Sequence, residues 1–516
     1  MTAAYSTRSS SRRNARASHQ TSGGLQMHIH AFGAALLVLS GSPALGQAPP
    51  QEATPPADRS SGVLDSRIEE APVDAVPPPT TSDPVADRLN ALEARVRQLE
   101  ARNAQLEEQA QLNETRLETV ETRAAKNVQF SWGPALSDPS GAFTFKPRGV
   151  VEADHAAFFE RKGGYDYNNG TGFRRARIGF EGTAFKSFNY RIEADFAGNA
   201  VTLTDAYLQY VGIPKLAVTV GQHKAPFGLE SNNSDNYNVF LERGMFTNAF
   251  GNAGAERRIG ASLAYAPSET INLALGLFGD NESISRSTGS PVTDTPDESW
   301  GVNGRATLEP VFDTGKIVHV GLSGYYRSAL KSGDVEDAVR LSDRANIRVD
   351  NGNIADSGVV TDVSSLFYAG VEAASVFGPL TLAGEYGRLW LDRQALPDFH
   401  ADGFYAYASY FLTGETRPFR NGNFDRVKPI SELGKAGLGA LELALRYDRI
   451  DLSQTPAPAR AGNRAHSFTL GLNWYLNPYA KVMINWVRFK GTNSPLDPIG
   501  TLTRGEVIGS RLHLDF

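Results

Sequence analysis

Cysteine is absent from this chain of 516 residues, which excludes a disulfide framework, a thiolate metal site and a cysteine nucleophile. Long hydrophobic runs are also missing, because the best candidate, residues 31–39, is far shorter than the about 20 apolar residues of a transmembrane helix. The mean hydropathy of −0.32 and the net charge of −6 indicate neither a helical membrane protein nor a nucleic-acid-binding protein. The P-loop and HExxH motifs are lacking too, so we expect no cofactor and no metal.

Residues 1–46 have the pattern of an export signal. A positive region, the apolar run and a small-x-small cleavage pattern follow one another, and their residues include Arg8, Arg12, Arg13, Arg16 and Ala44-Leu45-Gly46. Met27 is an alternative start that keeps little of the positive charge. Residues 47–84 are rich in proline, alanine and acidic residues and poor in aromatics, which predicts a disordered linker.

Residues 85–126 follow a heptad pattern. Apolar residues and two asparagines recur at alternating spacings of three and four: Leu89, Leu92, Val96, Leu99, Asn103, Leu106, Ala110, Asn113, Leu117, Val120 and Ala124. The pattern predicts a coiled coil whose asparagines fix the register; a lone amphipathic helix lying on the folded domain is the alternative. One chain supplies one such helix, so we expect a homo-oligomer, first of all a trimer, although the heptad does not decide the number. Residues 127–145 are a connector.

From residue 146 to residue 516 the chain reads as sixteen amphipathic β-segments. In the last one, Ile508, Leu512 and Phe516 share one face, and Arg511, His513 and Asp515 lie on the other. Short turns, such as the one at 377–379, alternate with longer polar connections, as periplasmic turns alternate with external loops. We therefore predict an all-β fold, a sixteen-stranded antiparallel transmembrane β-barrel in the bacterial outer membrane, preceded by a periplasmic coiled-coil helix.

Two points on this fold stay open. The segments near 358–390 follow the alternation less closely, which leaves the strand count uncertain by two. A soluble β-sandwich is the other all-β fold to consider, but it does not need aromatic residues at its strand ends, where this chain has Tyr410, Trp474, Tyr475 and Trp486.

Several long motifs resemble one family. In chain order they are GFRRARIGFEGT (172–183), YRIEADFAGNA (190–200), DAYLQYV (205–211), VGQHKAPFGLES (220–231), FLERG (240–244), ERRIGA (256–261), SYFLTGETRPF (409–419), GALELALRYDRIDLS (439–453) and GLNWYLNPY (471–479). Together they resemble the phosphate-selective porin O and P family over nearly the whole barrel. The resemblance implies a homotrimeric outer-membrane porin with a periplasmic coiled coil in some members, inorganic phosphate or other small anions as solutes, and a constriction lined by Arg and Lys.

The residues themselves also indicate anion passage. Fixed cations in a water-filled barrel concentrate anions, and the planar guanidinium of arginine suits phosphate oxygens. We predict an anion pathway formed by Arg148, Arg174, Arg175, Arg177, Arg191, Arg243, Arg257, Arg258, Arg305, Arg446 and Lys481, with Arg327 and Arg511 also facing inward. Inward carboxylates such as Glu152, Glu181 and Glu193 make pairing with a wall carboxylate the alternative role for each arginine. The run 174–177 is the strongest candidate, because it holds three arginines.

The connection at 225–256, which follows the fifth strand, is the predicted constriction loop. It carries Arg243, and Arg257 and Arg258 follow at its exit. One departure from the family concerns Ser231: phosphate-specific members tend to have a lysine directly after PFGLE, where this chain has serine. The departure weakens the case for a high-affinity phosphate site more than the case for anion conduction.

The alternatives are a general diffusion porin with weak selectivity and, less favoured, an enzyme or an adhesin. Asn463, His466 and Ser467 supply the residue types of an outer-membrane phospholipase, but on a strand His466 and Ser467 point to opposite faces. Trimeric adhesins build one barrel from three chains, whereas this chain has enough strands to close its own. We therefore predict no enzymatic activity, contact with outer-membrane lipid and lipopolysaccharide, and no nucleic-acid partner. The acidic runs 280–282 and 294–298 are interpreted as solvated loops.

Overall fold

The structure is a computed structural model. It describes residues 84–131, 133–162, 165–279, 299–328, 331–332, 335–435, 437–454, 463–493 and 502–516. The predicted export signal, the linker up to residue 83 and the acidic runs 280–282 and 294–298 lie outside the described residues.

One antiparallel sheet of eighteen strands dominates the described chain. Two short strands, Val128–Ser131 and Gly133–Ser137, come first, and the other sixteen form the barrel. The barrel strands are β1 Thr144–Lys162, β2 Gly170–Ala184, β3 Phe188–Asp195, β4 Thr202–Ile213, β5 Leu216–Lys224, β6 Arg257–Ser268, β7 Ile271–Phe278, β8 Trp300–Asp313, β9 Lys316–Ser328, β10 Val363–Phe377, β11 Leu380–Arg393, β12 Phe399–Phe411, β13 Ala440–Leu452, β14 Asn463–Asn477, β15 Ala480–Thr492 and β16 Leu502–Asp515. The predicted sixteen-stranded barrel is confirmed.

The barrel wall has apolar residues on its outer surface and polar residues inside. In β14, Phe468 and Leu470 are 47% and 50% exposed, whereas the alternate residues Ser467 and Thr469 are buried. This arrangement is the reverse of a soluble fold, where apolar side chains are covered and polar ones face water. It suits a wall between lipid and a polar lumen.

The barrel closes at the carboxyl terminus. β16 pairs with β1 in a register that places Arg511 opposite Asp154, and the Arg511 Nε donates to Asp154 Oδ1 at 2.7 Å. Phe516 extends the pairing, because its amide and carbonyl exchange hydrogen bonds with Gly149 at 3.0 and 3.2 Å. The pairing of β16 with β1, which we call the seam, thus closes the barrel, and the alternation predicted for the last segment places Arg511 on its inner face.

Short turns lie at the end of the barrel that contains Phe516. The turn between β10 and β11 needs a residue in the left-handed backbone conformation, and Gly378 adopts it with φ of 56°. One connection at this end is long: residues 412–439 join β12 to β13. The expectation that long connections lie only at the opposite, external end is therefore wrong at this point, because 412–439 folds into the lumen instead of making a tight turn.

The amino-terminal helix α1 spans Pro84–Asn127. Its sequence is rich in strong helix formers, with neither glycine nor proline after Pro84, and Arg97 lies one turn from Glu93 at 3.9 Å. The heptad leucines are uncovered on its surface: Leu92 is 63% exposed and Leu99 is 57% exposed. Among the described residues, the structure contains no helix that is both long and apolar enough to cross a membrane.

Candidate anion passage

The predicted constriction loop, residues 225–256, lies inside the barrel; we call it loop A. It begins directly after β5 and ends directly before β6. It contains a helical turn at Leu229–Asn232, a 3-10 turn at Asp235–Tyr237 and a longer helix, α2, at Met245–Gly254. Most of its residues are buried, which an external loop in water would not show. Loop A therefore fills part of the lumen.

Aromatic side chains hold α2 against one side of the wall. Tyr325, Tyr368, Tyr405 and Tyr407, which we call the aromatic shelf, project inward from β9 to β12. Phe246 stacks on Tyr405 with ring centroids 6.0 Å apart, and Phe250 meets Tyr368 edge to face at 6.1 Å. Gly254 allows the closest approach, since a Cβ there would lie 2.2 Å from the Tyr325 ring. Apolar burial thus fixes α2 on the shelf.

Wall carboxylates bind the backbone amides of loop A. Asp448 on β13 accepts a hydrogen bond from the Met245 N–H, at the start of α2, at 2.9 Å. The position suits a carboxylate because the first amides of a helix are unpaired and carry partial positive charge. Glu385 on β11 accepts from the Leu229 and Glu230 amides at 2.9 and 2.7 Å. These contacts join residues more than 150 positions apart in the chain.

Glu242 is the main ionic anchor of loop A. Its carboxylate accepts hydrogen bonds from Arg174 at 2.7 Å, Arg511 at 3.1 Å and Arg348 at 3.2 Å. Burial alone would raise the pKa of Glu242, but Arg174 and Arg348 hold that pKa well below its usual range. Glu242 thus pairs with three arginines that are distant from it in sequence.

Asp235 is the second ionic anchor. Arg175 and Arg177 of β2 lie 3.3 and 3.2 Å from its Oδ2, and Lys224 lies 3.7 Å from its Oδ1. Arg243 of loop A also pairs with it. Burial would raise the pKa of Asp235, but the neighbouring cations, Arg175 and Arg243 first, lower it well below the ordinary value. One carboxylate therefore gathers four of the basic residues around the lumen.

A β-bulge explains how adjacent arginines in β2 reach the same side of the wall. Arg175 pairs with Glu152 of β1 and Phe173 pairs with Ala153, so Arg174 has no partner across the strand. The extra residue shifts the alternation by one. Phe173 is consequently outside and exposed, while Arg174 and Arg175 both bind carboxylates inside the barrel.

A group of partly exposed cations lies along the free side of the lumen. We call Arg148, Arg191, Arg257 and Lys224 the basic strip. Arg148 and Arg191 both pair with Glu181 at 2.6 Å, and Arg257 pairs with Asp205 at 2.8 Å. The side chains of the strip are between 17% and 29% exposed, whereas three of the four carboxylates that they meet, Glu193, Asp205 and Asp235, are at most 7% exposed.

The other predicted pathway residues hold loops in place. Arg446 donates to the Glu242 carbonyl at 2.8 Å, and Lys481 donates to the carbonyls of Asn236 and Asn238 at 2.9 and 3.1 Å. Arg258 donates to two carbonyls at the end of α2, at 3.4 and 3.5 Å. Arg446 is completely buried behind loop A. The structure thus brings Arg174, Arg175, Arg177 and Arg243 together around Glu242 and Asp235, and places Arg305, Arg446 and Lys481 at separate contacts.

Two further segments enter the lumen and were not predicted. Loop B, residues 337–362, carries the hairpin of Val339–Arg344 and Asn353–Val360, and its Asn346 donates to Ser467 of β14 at 2.7 Å. Loop C, residues 412–439, enters from the opposite end. There Arg305 donates to the Gly422 carbonyl at 2.7 Å and pairs with Glu372 at 2.5 Å.

Some residues at the passage were missed by sequence reasoning. Lys224 belongs to the motif at 220–231 but was not among the predicted pathway residues. Its position at the junction of strand and loop was a usable signal. Arg348 binds Glu242 and Asp343, and the regular spacing of Arg340, Arg344 and Arg348 was the available hint. Glu242 and Asp235 were not recognised as anchors, because their partners are distant in sequence.

A cavity of about 500 Å³ remains between loop A and the wall formed by β4 to β8. Lys215, Lys224 and Arg305 contribute its charged lining. Loop A packs against the aromatic shelf on the other side of the lumen. Among the described residues, no group of three or more acidic or histidine side chains is arranged to hold a metal ion.

A closed sixteen-stranded barrel with an apolar outer surface and a lumen narrowed by an inward loop defines an outer-membrane porin. A family model described as phosphate-selective porin O and P matches residues 145–516. A relative from Caulobacter vibrioides, described as an uncharacterized protein, is 31% identical over 400 residues, which are 76% of this chain and 78% of the relative. Porin O of Pseudomonas aeruginosa is 28% identical over 430 residues, which are 75% of this chain and 93% of that protein.

Among solved structures, an anion-selective porin from Comamonas acidovorans aligns with a TM-score of 0.46 at 15% identity, over 72% of this chain and 100% of the other. The family match covers most of the present sequence, and the chain belongs to the phosphate-selective porin O and P family. It is therefore a channel of the outer membrane and not an enzyme, as the sequence predicted.

Proposed function

We propose that this porin conducts small anions by passive diffusion and that phosphate or polyphosphate is its preferred solute. The observation that carries the proposal is the orientation of the ion pairs along the basic strip. Arg148, Arg191, Arg257 and Lys224 are partly exposed, while three of the four carboxylates that they meet, Glu193, Asp205 and Asp235, are buried more deeply. Each pair with one of these three carboxylates presents its cation to the lumen more than its anion, which raises the local concentration of anions.

The chemistry of the strip favours oxyanions. Three of its four members are arginines, whose planar guanidinium donates two parallel hydrogen bonds to a phosphate or carboxylate. Arg148 and Arg191 share the carboxylate of Glu181, and Arg148 also donates to Glu193 at 2.8 Å. Ser231, at the position after PFGLE, is buried, and its carbonyl accepts a hydrogen bond from Lys224 at 3.1 Å. Lys224 thus brings a cation close to the site where phosphate-specific relatives tend to have their additional lysine.

A general diffusion porin with weak selectivity is the second candidate. The observation in its favour is that every cation of the strip has a carboxylate within 3.7 Å. Such pairing reduces the field that each cation exerts on a passing ion. The two candidates differ in the sign and size of the reversal potential under a salt gradient.

The test is the double variant Arg148→Ala/Arg191→Ala in planar bilayers under a KCl gradient. It leaves Glu181 without its cations, so the potential is expected to move away from the chloride equilibrium potential. Arg488→Ala is the matched control, because Arg488 is 65% exposed and distant from the strip; its reversal potential should equal that of the parent chain. An unchanged potential in the double variant would refute the role of the strip.

We also propose that the channel is a homotrimer, assembled through the barrel and through a coiled coil of α1, in contact with lipid and lipopolysaccharide. The uncovered heptad leucines of α1 support this proposal, since an apolar stripe that stays exposed to water is unfavourable. Asn103 and Asn113 interrupt the stripe at a and d positions and would set the register of the helices. Cross-linking of the purified protein, followed by determination of its mass, measures the number of subunits.

A further inference from the structure

The cavity beside loop A has a lining that differs from that of a narrow anion filter. Its volume is about 500 Å³, which corresponds to about 17 water molecules at roughly 30 Å³ each. A filter that selects a bare ion needs a close cage of donors that replaces the hydration shell. Inorganic phosphate does not fill this space and would cross it largely hydrated.

Small side chains keep the cavity open on the wall side. Ala217 of β5, Ala264 of β6 and Ala274 of β7 line it where larger residues would close it. The three alanines lie on neighbouring strands and form a continuous apolar surface without charge. An inorganic ion gains nothing from such a surface, whereas the carbon skeleton of an organic solute loses contact with water there.

Uncharged amide groups line the rest of the cavity. Asn232 of loop A, Asn272 of β7 and the pair Asn421 and Asn423 of loop C face it. Asn232 donates to Asn423 Oδ1 at 3.1 Å, so loops A and C meet at this side of the cavity. An amide offers both donors and an acceptor, which matches hydroxyl groups better than it matches an oxyanion that has only acceptors.

Three cations line the cavity, and they differ in their partners. Arg305 is buried and neutralised by Glu372, and Lys215 donates to the Pro267 carbonyl at 2.5 Å. The Lys224 side chain is 18% exposed and 3.7 Å from its nearest carboxylate. The cavity therefore combines cations, a group of amides and an apolar wall. This set of groups is complementary to a molecule with one anionic end, several hydroxyl groups and a short carbon skeleton.

We propose that the solutes of this channel include, besides inorganic phosphate, small organic phosphates, that is, phosphate esters of polyols about as large as a monosaccharide phosphate. The inference rests on the anion conduction proposed above and specifies its substrate class. In the cavity the phosphate group lies at Lys224, the hydroxyl groups bind Asn232, Asn272 and Asn423, and the carbon skeleton lies on Ala264 and Ala274. A cavity of this volume is in the usual range for ligands of such size.

The experiment measures uptake into proteoliposomes that contain the full chain, with glucose 6-phosphate, inorganic phosphate and glucose as probes. Glucose 6-phosphate is expected to enter within about threefold of the rate of inorganic phosphate and faster than glucose. Glucose lacks the negative charge, whereas the ester has the charge together with hydroxyl groups and a carbon skeleton that fit the amides and alanines of the cavity. Ala264→Phe narrows the cavity and should slow glucose 6-phosphate about tenfold, equivalent to about 1.4 kcal/mol, with a smaller effect on inorganic phosphate.

Ala261→Phe is the matched control, because Ala261 is on the same strand but its register partners Val220 and Leu277 are exposed on the outer face. Its uptake rates should equal those of the parent chain. If Ala264→Phe does not fold into a heat-resistant barrel, the smaller change Ala274→Val tests the same surface. Entry of inorganic phosphate with exclusion of glucose 6-phosphate would overturn the inference and leave anion conduction intact. Equal entry of glucose and glucose 6-phosphate would overturn both.

Discussion

Glu242→Gln is the substitution that tests most directly how loop A is held. It keeps the side-chain volume and removes the negative charge that Arg174, Arg348 and Arg511 share at 2.7 to 3.2 Å. Glu242 is buried, and loss of one partner from a buried ionic cluster costs about 3–5 kcal/mol. The cost applies to docking of the loop, because the strand pairing of the barrel is not altered.

The expected result is faster hydrogen exchange in loop A. The Leu241 amide donates to Asn485 and the Met245 amide donates to Asp448, both at 2.9 Å, and both are protected only while the loop is docked. A loss of 3–5 kcal/mol corresponds to exchange that is about 100- to 4,000-fold faster. Mass spectrometry of peptides from loop A measures it, and single-channel recordings should show a larger and noisier current.

The control for this experiment is Glu432→Gln. Glu432 pairs with Lys435, which is 64% exposed, at 3.0 Å, and an exposed pair contributes at most about 1 kcal/mol. Exchange in loop A should be the same in this variant and in the parent chain. If Glu242→Gln also left the exchange unchanged, apolar packing alone would hold the loop and the ionic anchor would be refuted.

Three further predictions concern the pH dependence of loop A, the stability of the barrel seam and the association of α1. The lowered pKa values of Asp235 and Glu242 make their stabilisation of loop A complete above an ordinary carboxyl pKa of about 4, and it is lost only as the pH falls further through the lowered values. Loop exchange corrected for intrinsic rates should therefore be no faster at pH 5 than at pH 7, and a large rise at pH 5 would contradict the assignment. Arg511→Met removes the ion-pair partner of the buried Asp154 at the seam, while Glu152 keeps Arg175, and it should lower the unfolding free energy in urea by about 3–5 kcal/mol, whereas Arg488→Met should not. Leu99→Asp in α1 should lower the dissociation temperature of the oligomer on native gels; an unchanged temperature would argue against a coiled coil.

The barrel could be predicted from the sequence because its signal is local. Alternation in segments such as β14 and β16 reports directly which residues face lipid, and the number of such segments gives the closed sheet. The inward direction of Arg175, Arg177 and Arg511 follows from the same alternation. Loop A could be identified from its length and its position after the fifth strand.

The arrangement inside the lumen could not be predicted, because it depends on contacts between distant residues. Met245 meets Asp448 and Asn236 meets Asp515, and neither pair has a signature in sequence. The bulge at Arg174 interrupts an alternation that otherwise looks regular. Loops B and C lack periodicity, so their entry into the barrel and the burial of Arg446 behind loop A became visible only in three dimensions.

In the proposed function, the selectivity depends on how deeply the carboxylates that pair with the basic strip are buried. Nearly all the cations of the passage are paired, yet three of the four carboxylates in the strip are buried more deeply than the cations. Selectivity therefore depends on small differences in exposure, and it should be sensitive to single substitutions. The same structure is compatible with weak selectivity if the pairs screen each other completely.

The central claim is that the lumen favours anions, and the reversal potential of the purified protein in a planar bilayer under a tenfold KCl gradient tests it most directly. The account predicts a potential well toward the chloride limit of about 59 mV, followed by a reduced chloride current as phosphate is titrated in. A potential near zero without reduction by phosphate would contradict the account, and the chain would then be a general diffusion porin on the same scaffold.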